Sequence, residues 1–182
     1  MTNYNSICEK LIISPEEIDR ETTRIAQEIT RDFEGEEVVF IAILNGAFMF
    51  ASDLVKKVSL DCYIDFMQCA TYGNKSVSSG NFVIKKDLTM DIEGKNVIIV
   101  EDVLDSGYTM KNLIRYLEER NPKSIKIATF VDKPARRKEN VTTDYCGVVM
   151  EDDLFIVGYG LDYAQKYRNL PYIGALKKEI YS

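Results

Sequence analysis

One segment near the middle of the chain, Val97 to Thr109, constrains the fold more than any other. Its first four residues are apolar and β-branched, which predicts a central strand buried on both faces. Glu101 and Asp102 follow this run directly, and a small polar turn, Asp105 to Thr109, leads into a helical pattern. Because such a turn presents free backbone N–H groups at a helix N-terminus, the segment predicts an anion site.

The acids of this segment narrow the ligand that can bind there. Repulsion between a phosphate and a carboxylate about 4 Å apart amounts to roughly 1 kcal/mol in water and about 4 kcal/mol near a protein surface. A ligand with a phosphate for the turn and a vicinal diol for Glu101 and Asp102 removes this conflict, and so does a divalent cation beside them. A phosphorylated ribose meets these conditions, whereas a simple buried strand with a polar turn leaves the acids unexplained.

The same segment resembles the phosphoribosyl pyrophosphate motif of the type I phosphoribosyltransferases: four apolar residues, two acids, two apolar residues, then Asp-Ser-Gly-x-Thr. The resemblance implies that Mg²⁺ is held by Glu101 and Asp102. It also implies that Asp105 is the catalytic general base, which takes a proton from N7 of the incoming base. The implied phosphoribosyl-binding residues are Glu101, Asp102, Asp105, Ser106, Gly107, Tyr108 and Thr109.

Composition sets the broad class of protein. The chain has 182 residues, 46% hydrophobic and 29% charged, which predicts one globular domain over residues 1–182. A net charge of −6 disfavours a nucleic-acid partner. No apolar run reaches the ~20 residues of a membrane span, and the N-terminus lacks a signal-peptide pattern. We therefore predict a cytoplasmic protein with no membrane partner.

The chain contains no histidine, which excludes Ser-His-Asp and Cys-His catalysis and histidine-ligated metal sites. Acid–base chemistry must use Asp, Glu, Lys or Tyr, and a metal must have oxygen ligands. The four cysteines lack Cys-x-x-Cys spacing, so we predict reduced, mostly buried thiols.

The remaining patterns predict alternating strands and helices. Strands are expected at Ile7 to Ile13, Glu37 to Leu44, Leu60 to Met67, Ser124 to Val131 and Cys146 to Met150. A capping box, Ser14 to Glu17, predicts a helix that Gly35 ends. These elements predict an α/β fold with one doubly wound, mostly parallel sheet, a mobile lid loop and a small hood.

Two further segments acquire roles from the resemblance. The turn after Leu44 binds pyrophosphate through Asn45 and Gly46, often across a non-proline cis peptide. Many family members have Lys or Arg at position 45, so only backbone contacts are expected here. The polar stretch Gln68 to Asn81 predicts a loop, either a lid over the reacting sugar or a hairpin tip. The family closes its lid with a Ser/Thr-Tyr pair, matched by Thr71 and Tyr72.

The block Phe155 to Gly174 resembles the C-terminal signature of bacterial hypoxanthine and guanine phosphoribosyltransferases. The resemblance implies that Phe155 stacks on a purine and that backbone groups at Ile156 read its edge. It places Asp162 beside the purine, holding a second magnesium, and Arg168 on pyrophosphate.

Lys133 follows the strand Ser124 to Val131, and by resemblance it donates to the 6-oxygen of the purine. Such a donor opposes adenine, whose 6-amino group would face it. Arg136 and Arg137, just beyond, are expected in solvent.

Together the two resemblances imply purine salvage: 5-phosphoribosyl transfer from phosphoribosyl pyrophosphate to N9 of hypoxanthine or guanine, giving IMP or GMP and pyrophosphate. By family analogy the chain forms a homodimer or homotetramer. Two alternatives stay open. One is an RNA-binding regulatory member of the same fold, which the acidic composition disfavours. The other is a phosphoribosyltransferase for xanthine or orotate.

Overall fold

Two sheets organise the computed structural model, which describes residues 4–72 and 81–181. Its strands are β1 (Cys8–Ile13), β2 (Val38–Ile43), β3 (Cys62–Tyr72), β4 (Asn81–Lys86), β5 (Asn96–Leu104), β6 (Ser124–Asp132), β7 (Tyr145–Val149), β8 (Ile156–Val157) and β9 (Ile173–Leu176). Its helices are α1 (Tyr4–Ile7), α2 (Pro15–Asp32), α3 (Phe48–Val55), α4 (Tyr108–Glu118) and α5 (Lys178–Tyr181), with a 3-10 turn at Pro134–Arg136.

The main sheet has six strands in the order β4-β3-β2-β5-β6-β7. Parallel pairing joins β3, β2, β5, β6 and β7, whereas β4 pairs with β3 in antiparallel fashion. The predicted doubly wound, mostly parallel α/β fold is therefore confirmed. Parallel strands end at one common edge of a sheet, so the segments after β2, β5 and β6 meet there.

The central strand β5 explains why its apolar run is continuous. Ile98 and Val100 pack on one face with residues of α2 and α3, while Val97 and Ile99 pack on the other face with residues of α4. All four side chains are fully buried. The strand also continues through the acids to Leu104, because pairing with β6 extends that far. Glu101 and Asp102 thus belong to the strand's last residues rather than following it.

Helix α2 begins as the sequence predicts. The Ser14 hydroxyl accepts a hydrogen bond from the Glu17 N–H at 3.2 Å, and the Glu17 carboxylate accepts one from the Ser14 N–H at 2.8 Å. The helix ends at Asp32, and Gly35 lies in the turn beyond with a φ of 76°.

The small hood is the three-stranded sheet β1-β9-β8. Strand β1 pairs antiparallel with β9, which joins the start of the chain to its C-terminal block. Its buried cluster contains Cys8, Val157, Leu170 and Leu176.

The prediction of a loop over Gln68 to Asn81 is wrong at both ends, because Gln68 to Tyr72 belong to β3 and Asn81 begins β4. Gln68 to Tyr72 continue β3 and pair with β4, forming the two arms of a hairpin. Polar residues fit these arms because antiparallel pairing satisfies the backbone whatever the side chains are. Residues 73–80 and the side chains of Thr71 and Tyr72 lie outside the described part, so the lid stays a prediction.

The four cysteines are free thiols. Cys8 is buried, and the other three are half-buried. Within residues 4–72 and 81–181, no helix has the length and apolar character needed to span a membrane.

Candidate active site

Glu101 and Asp102 lie at the carboxyl end of β5 and line a cavity of about 220 Å³. Burial raises the pKa of Glu101 well above its ordinary value, and the adjacent Asp102 carboxylate raises it further. Burial likewise raises the pKa of Asp102. The Val103 N–H donates to Asp102 at 2.9 Å. Two desolvated neighbouring carboxylates that resist ionisation together are the kind of pair that a cation or a sugar diol stabilises.

Cys69 lines the same cavity from β3. Burial, with a smaller effect from the Glu101 charge, raises the pKa of its thiol to about 12. The thiol is therefore protonated at neutral pH and is not a nucleophile for this site.

Two glycines bring the predicted pyrophosphate turn against the acid pair. A Cβ atom added to Gly46 would lie 1.9 Å from Asp102 Oδ2. A Cβ added to Gly160, whose φ is 96°, would lie 2.0 Å from the Gly46 carbonyl oxygen. Only residues without a side chain allow these contacts. The Leu44–Asn45 peptide bond is cis, and Asn45 is exposed.

The predicted phosphate turn, Asp105 to Thr109, leads directly into α4. Gly107 caps the helix in the left-handed region, with a φ of 85°, and no side chain hydrogen-bonds to the cap. Backbone N–H groups of Lys138 and Glu139 donate to the Ser106 carbonyl at 2.9 and 3.2 Å and fix the turn. The first N–H groups of α4 thus open at the cavity that Ser106, Gly107 and Thr109 line.

Asp105 faces a cation in this structure. Arg136 Nε lies 2.8 Å from Asp105 Oδ1 as an ion pair, while another Arg136 nitrogen donates to Asp153 at 2.8 Å. Asp105 Oδ1 is buried, and no donor among the described residues makes a well-directed hydrogen bond to it. The Arg136 ion pair covers this oxygen here, so Asp105 Oδ1 can accept a proton or a hydrogen bond once Arg136 moves away.

The expectation that Arg136 and Arg137 lie in solvent is wrong for Arg137. Its side chain is only 14% exposed, pairs with Asp132, and donates to the Asp105 carbonyl at 2.8 Å. Arg136 is half-exposed but carries the two ion pairs described above. The 3-10 turn after Lys133 folds both arginines back over the segment after β5, a contact between distant segments that no local pattern encodes.

Lys133 follows β6 and contacts the residue before Phe155. Lys133 is 5% exposed and donates from Nζ to the Leu154 carbonyl at 2.6 Å. Burial lowers the pKa of Lys133, and the Asp105 charge opposes that change. Phe155 is 36% exposed, and Ile156, its neighbour in β8, is buried. The predicted purine-binding residues are therefore neighbours, with a buried amine beside an accessible aromatic ring.

Asp162 and Arg168 pair with each other. Arg168 Nη2 lies 2.7 Å from Asp162 Oδ1, and Arg168 Nη1 donates to the Gly160 carbonyl at 2.7 Å. The Arg168 charge partly offsets the burial that raises the pKa of Asp102. Arg168 therefore lies towards the acid pair. Across the described residues, no group of three or more Asp, Glu and Cys side chains has the arrangement needed to hold a metal ion by itself.

A larger cavity, about 700 Å³, lies elsewhere, between α2 and α3. Its lysines are paired: Lys56 with Asp53 at 2.8 Å and Lys57 with Asp19 at 2.7 Å. Because these charges are internally compensated, we place the candidate site at the smaller cavity beside the acids.

Sequence reasoning missed three contributors: Arg136, Gly160 and Tyr181. Tyr181 stacks on Phe155 with ring centroids 5.0 Å apart. For Gly160, the only signal in the sequence was its place in the glycine-containing block Phe155 to Gly174. Nothing in the sequence pointed to Arg136 or Tyr181.

The fold and the site described above are those of one class of protein, and the comparisons with known proteins identify that class. A model of the phosphoribosyl transferase domain matches residues 14–164, so the chain belongs to the phosphoribosyltransferase family.

Its relatives are similar along most of its length. The chain is 44% identical over 173 residues to a hypoxanthine-guanine phosphoribosyltransferase of Bacillus subtilis, covering 95% of this chain and 96% of that protein. A crystal structure of a hypoxanthine phosphoribosyltransferase from Staphylococcus aureus matches with a TM-score of 0.96 at 40% identity, covering 100% of this chain and 99% of that one.

The chain is also 44% identical to the bifunctional protein TilS/HprT of Listeria monocytogenes, over 98% of this chain. It spans only 27% of that longer relative.

Proposed function

We propose that this chain transfers a 5-phosphoribosyl group from phosphoribosyl pyrophosphate to N9 of hypoxanthine or guanine, giving IMP or GMP and pyrophosphate. One observation carries the proposal: the N–H of buried Lys133 donates to the Leu104 carbonyl at the end of β5, and its amine donates to the Leu154 carbonyl, next to the accessible Phe155. The names of the Bacillus subtilis and Staphylococcus aureus relatives support it.

The acid pair fits a magnesium ion. Mg²⁺ usually binds one or two protein carboxylates and completes its shell with water and substrate phosphates. Glu101 and Asp102 supply such a pair, and burial raises the pKa of both even though the Arg168 charge acts on Asp102, so a cation can stabilise the pair further. When bound, Mg²⁺ would neutralise charge on the departing pyrophosphate. Asp162 would reach a second ion only after releasing Arg168.

The chain's own residues would hold the sugar by both ends. The N–H groups from Ser106 to Thr109 would bind the 5′-phosphate, and Glu101 and Asp102 would face the ribose hydroxyls. Backbone groups at Asn45 and Gly46, with Arg168, would hold pyrophosphate. As pyrophosphate leaves, positive charge develops on the ribose, so preorganised carboxylates stabilise the transition state.

Asp105 would act as the general base. Its buried Oδ1 can accept the N7 proton of the purine once Arg136 turns fully towards Asp153. Lys133 would donate to the 6-oxygen, and Phe155 would stack on the ring. Thr71 and Tyr72 would close over the sugar and exclude water.

The test is a panel of bases with phosphoribosyl pyrophosphate and Mg²⁺, with pyrophosphate release and nucleotide formation as readouts. We expect turnover of hypoxanthine and guanine, and a kcat/KM for adenine at least about 100-fold lower, because its 6-amino group places a donor against the buried Lys133 amine instead of an acceptor. Efficient turnover of adenine would contradict the role of Lys133. Turnover of xanthine or orotate alone would select the alternative enzyme.

The proposal extends to a cytoplasmic homodimer or homotetramer without nucleic-acid or membrane partners. Light scattering after size exclusion measures the assembly. Retention of RNA at moderate salt would instead favour the regulatory alternative, although the net charge of −6 opposes it.

A further inference from the structure

Phe155 is held between two tyrosine rings. Tyr181 stacks on it with centroids 5.0 Å apart and planes at 26°, and Tyr163 contacts it edge-on at 5.7 Å and 88°. A stacked ring covers one face of Phe155, and the edge contact limits its tilt. Phe155 as a residue is still 36% exposed, which leaves room for a third flat group beside it.

Tyr181 reaches Phe155 from the hood. It packs against the hood cluster of Cys8, Val157, Leu170 and Leu176, at the end of α5. The segment before α5 is tied to the start of the chain, because the Lys177 N–H donates to the Ile7 carbonyl at 3.0 Å. The stacking ring therefore rests on a packed part of the molecule.

The chain leading to Phe155 is less constrained. Glu151, Asp152 and Asp153 are exposed and have no regular secondary structure. The Phe155 backbone itself is fixed, since its carbonyl accepts from the Leu176 N–H at 2.8 Å. The backbone anchor leaves the side-chain torsions free, so the orientation of the ring depends on its aromatic neighbours.

We propose that Tyr181 is a positioning residue of the purine site, which holds the Phe155 ring ready to stack on the base. This inference rests on the proposed function. A preorganised ring binds a base more tightly, because the cost of ordering it has been met during folding. Tyr181 touches Phe155 rather than the sugar site, so its contribution is confined to the base.

The test compares Tyr181→Ala with Tyr181→Phe and with Ile180→Ala, a control on the same helix that also packs on the hood cluster. Loss of the ring is expected to raise the KM for hypoxanthine about 3- to 10-fold, the range that one aromatic pair supplies. The KM for phosphoribosyl pyrophosphate should not change. Tyr181→Phe and Ile180→Ala should keep the wild-type KM for both substrates.

Ligand binding separates base from sugar without turnover. Tyr181→Ala should weaken binding of IMP by the same factor and leave the Kd of ribose 5-phosphate unchanged. In a Phe155→Ala background, Tyr181→Ala should have no further effect on the KM for hypoxanthine. Tyr181→Leu, which keeps apolar bulk in the hood, should raise the KM as alanine does if the flat ring matters.

Three results would overturn the inference: an unchanged KM for hypoxanthine in both the alanine and leucine variants, an equal rise for both substrates, or a fall. A fall would mean that Tyr181 occupies the face of Phe155 on which the base stacks. Wild-type protein that transfers no phosphoribosyl group would instead remove the proposed function, which a failure of Tyr181 alone would leave standing.

Discussion

Two strands of the same sheet carry desolvated acids whose pKa values shift in opposite directions. Asp65 on β3 is 4% exposed and accepts hydrogen bonds from the N–H groups of Phe66, Thr89 and Met90 at 2.7, 2.7 and 3.1 Å. Burial alone would raise the pKa of Asp65, but these hydrogen bonds outweigh it and lower the pKa.

Glu101 and Asp102 on β5 show the reverse. Burial raises the pKa of both carboxylates, and the Asp102 charge raises that of Glu101 further. The Val103 N–H and the Arg168 charge act to lower the pKa of Asp102, but they do not outweigh burial. A carboxylate therefore stabilises the fold where the chain supplies enough hydrogen-bond donors, as at Asp65. Where the chain supplies too few, as at Glu101 and Asp102, the carboxylate is available to bind a ligand. Variants of the two regions should change stability and activity in opposite ways.

The largest effect is expected at Asp105, the acid that directly follows β5. Asp105→Asn should lower kcat about 10²- to 10⁴-fold, the usual contribution of a general base, while phosphoribosyl pyrophosphate still binds. Steady-state kinetics with a separate Kd for phosphoribosyl pyrophosphate measures both. Asp19→Asn, which changes an exposed acid paired with Lys57 in the larger cavity, is the matched control and should stay within a few-fold of wild type. A near-wild-type kcat for Asp105→Asn would remove this residue from catalysis.

Substitutions in the acid pair should lower substrate binding while they raise the stability of the fold. Changing Glu101→Gln and Asp102→Asn together should weaken magnesium-dependent binding of phosphoribosyl pyrophosphate about 10- to 100-fold. The folded protein should become more stable, because neutral amides remove the cost of ionising two desolvated neighbouring carboxylates. Calorimetry and denaturant titration at neutral pH test this. A loss of stability would mean that these acids support the fold as Asp65 does.

Asp65→Asn should do the opposite. The free energy of unfolding should fall by about 1–3 kcal/mol, because an amide nitrogen replaces an acceptor and leaves buried donors unsatisfied. Since the folded pKa of Asp65 lies below its ordinary value of 3.8, this stabilisation is full above that value and is lost as pH falls through the folded pKa. Urea titrations of both proteins across acidic pH measure it. If the difference in unfolding free energy between wild type and Asp65→Asn grew on acidification, Asp65 would not be a stabilising carboxylate. The kcat of the variant should be unchanged.

The smallest effect concerns a surface cap far from either acid region. Ser14→Ala should lower stability by about 1 kcal/mol by removing the cap of α2, with no change in kcat or KM. Thermal unfolding gives the shift. Any kinetic change would show that α2 communicates with the site.

The sequence predicts well those features whose residues are contiguous. The β5 strand, the turn to Thr109 and the capping box at Ser14 each depend on neighbours in the chain, so a local pattern contains the whole interaction. The polar residues from Gln68 to Tyr72 were misassigned to a loop because strand pairing depends on the partner β4 rather than on their own composition.

Contacts between distant segments were not predictable from pattern. Gly46 lies against both Asp102 and Gly160, and Arg137 is buried against Asp132 and the segment after β5. Tyr181 meets Phe155 only because β9 closes the hood. Each contact depends on how the strands pair in the two sheets, and the spacing of residues along the sequence does not specify that pairing.

The most direct measurement is a crystal structure with IMP and Mg²⁺. We expect the 5′-phosphate within hydrogen-bond distance of the backbone N–H groups from Ser106 to Thr109, with the ribose hydroxyls facing Glu101 and Asp102. A phosphate bound instead in the 700 Å³ cavity beside Lys56 and Lys57, or at any other place, would contradict the assignment of the β5 segment as the sugar site.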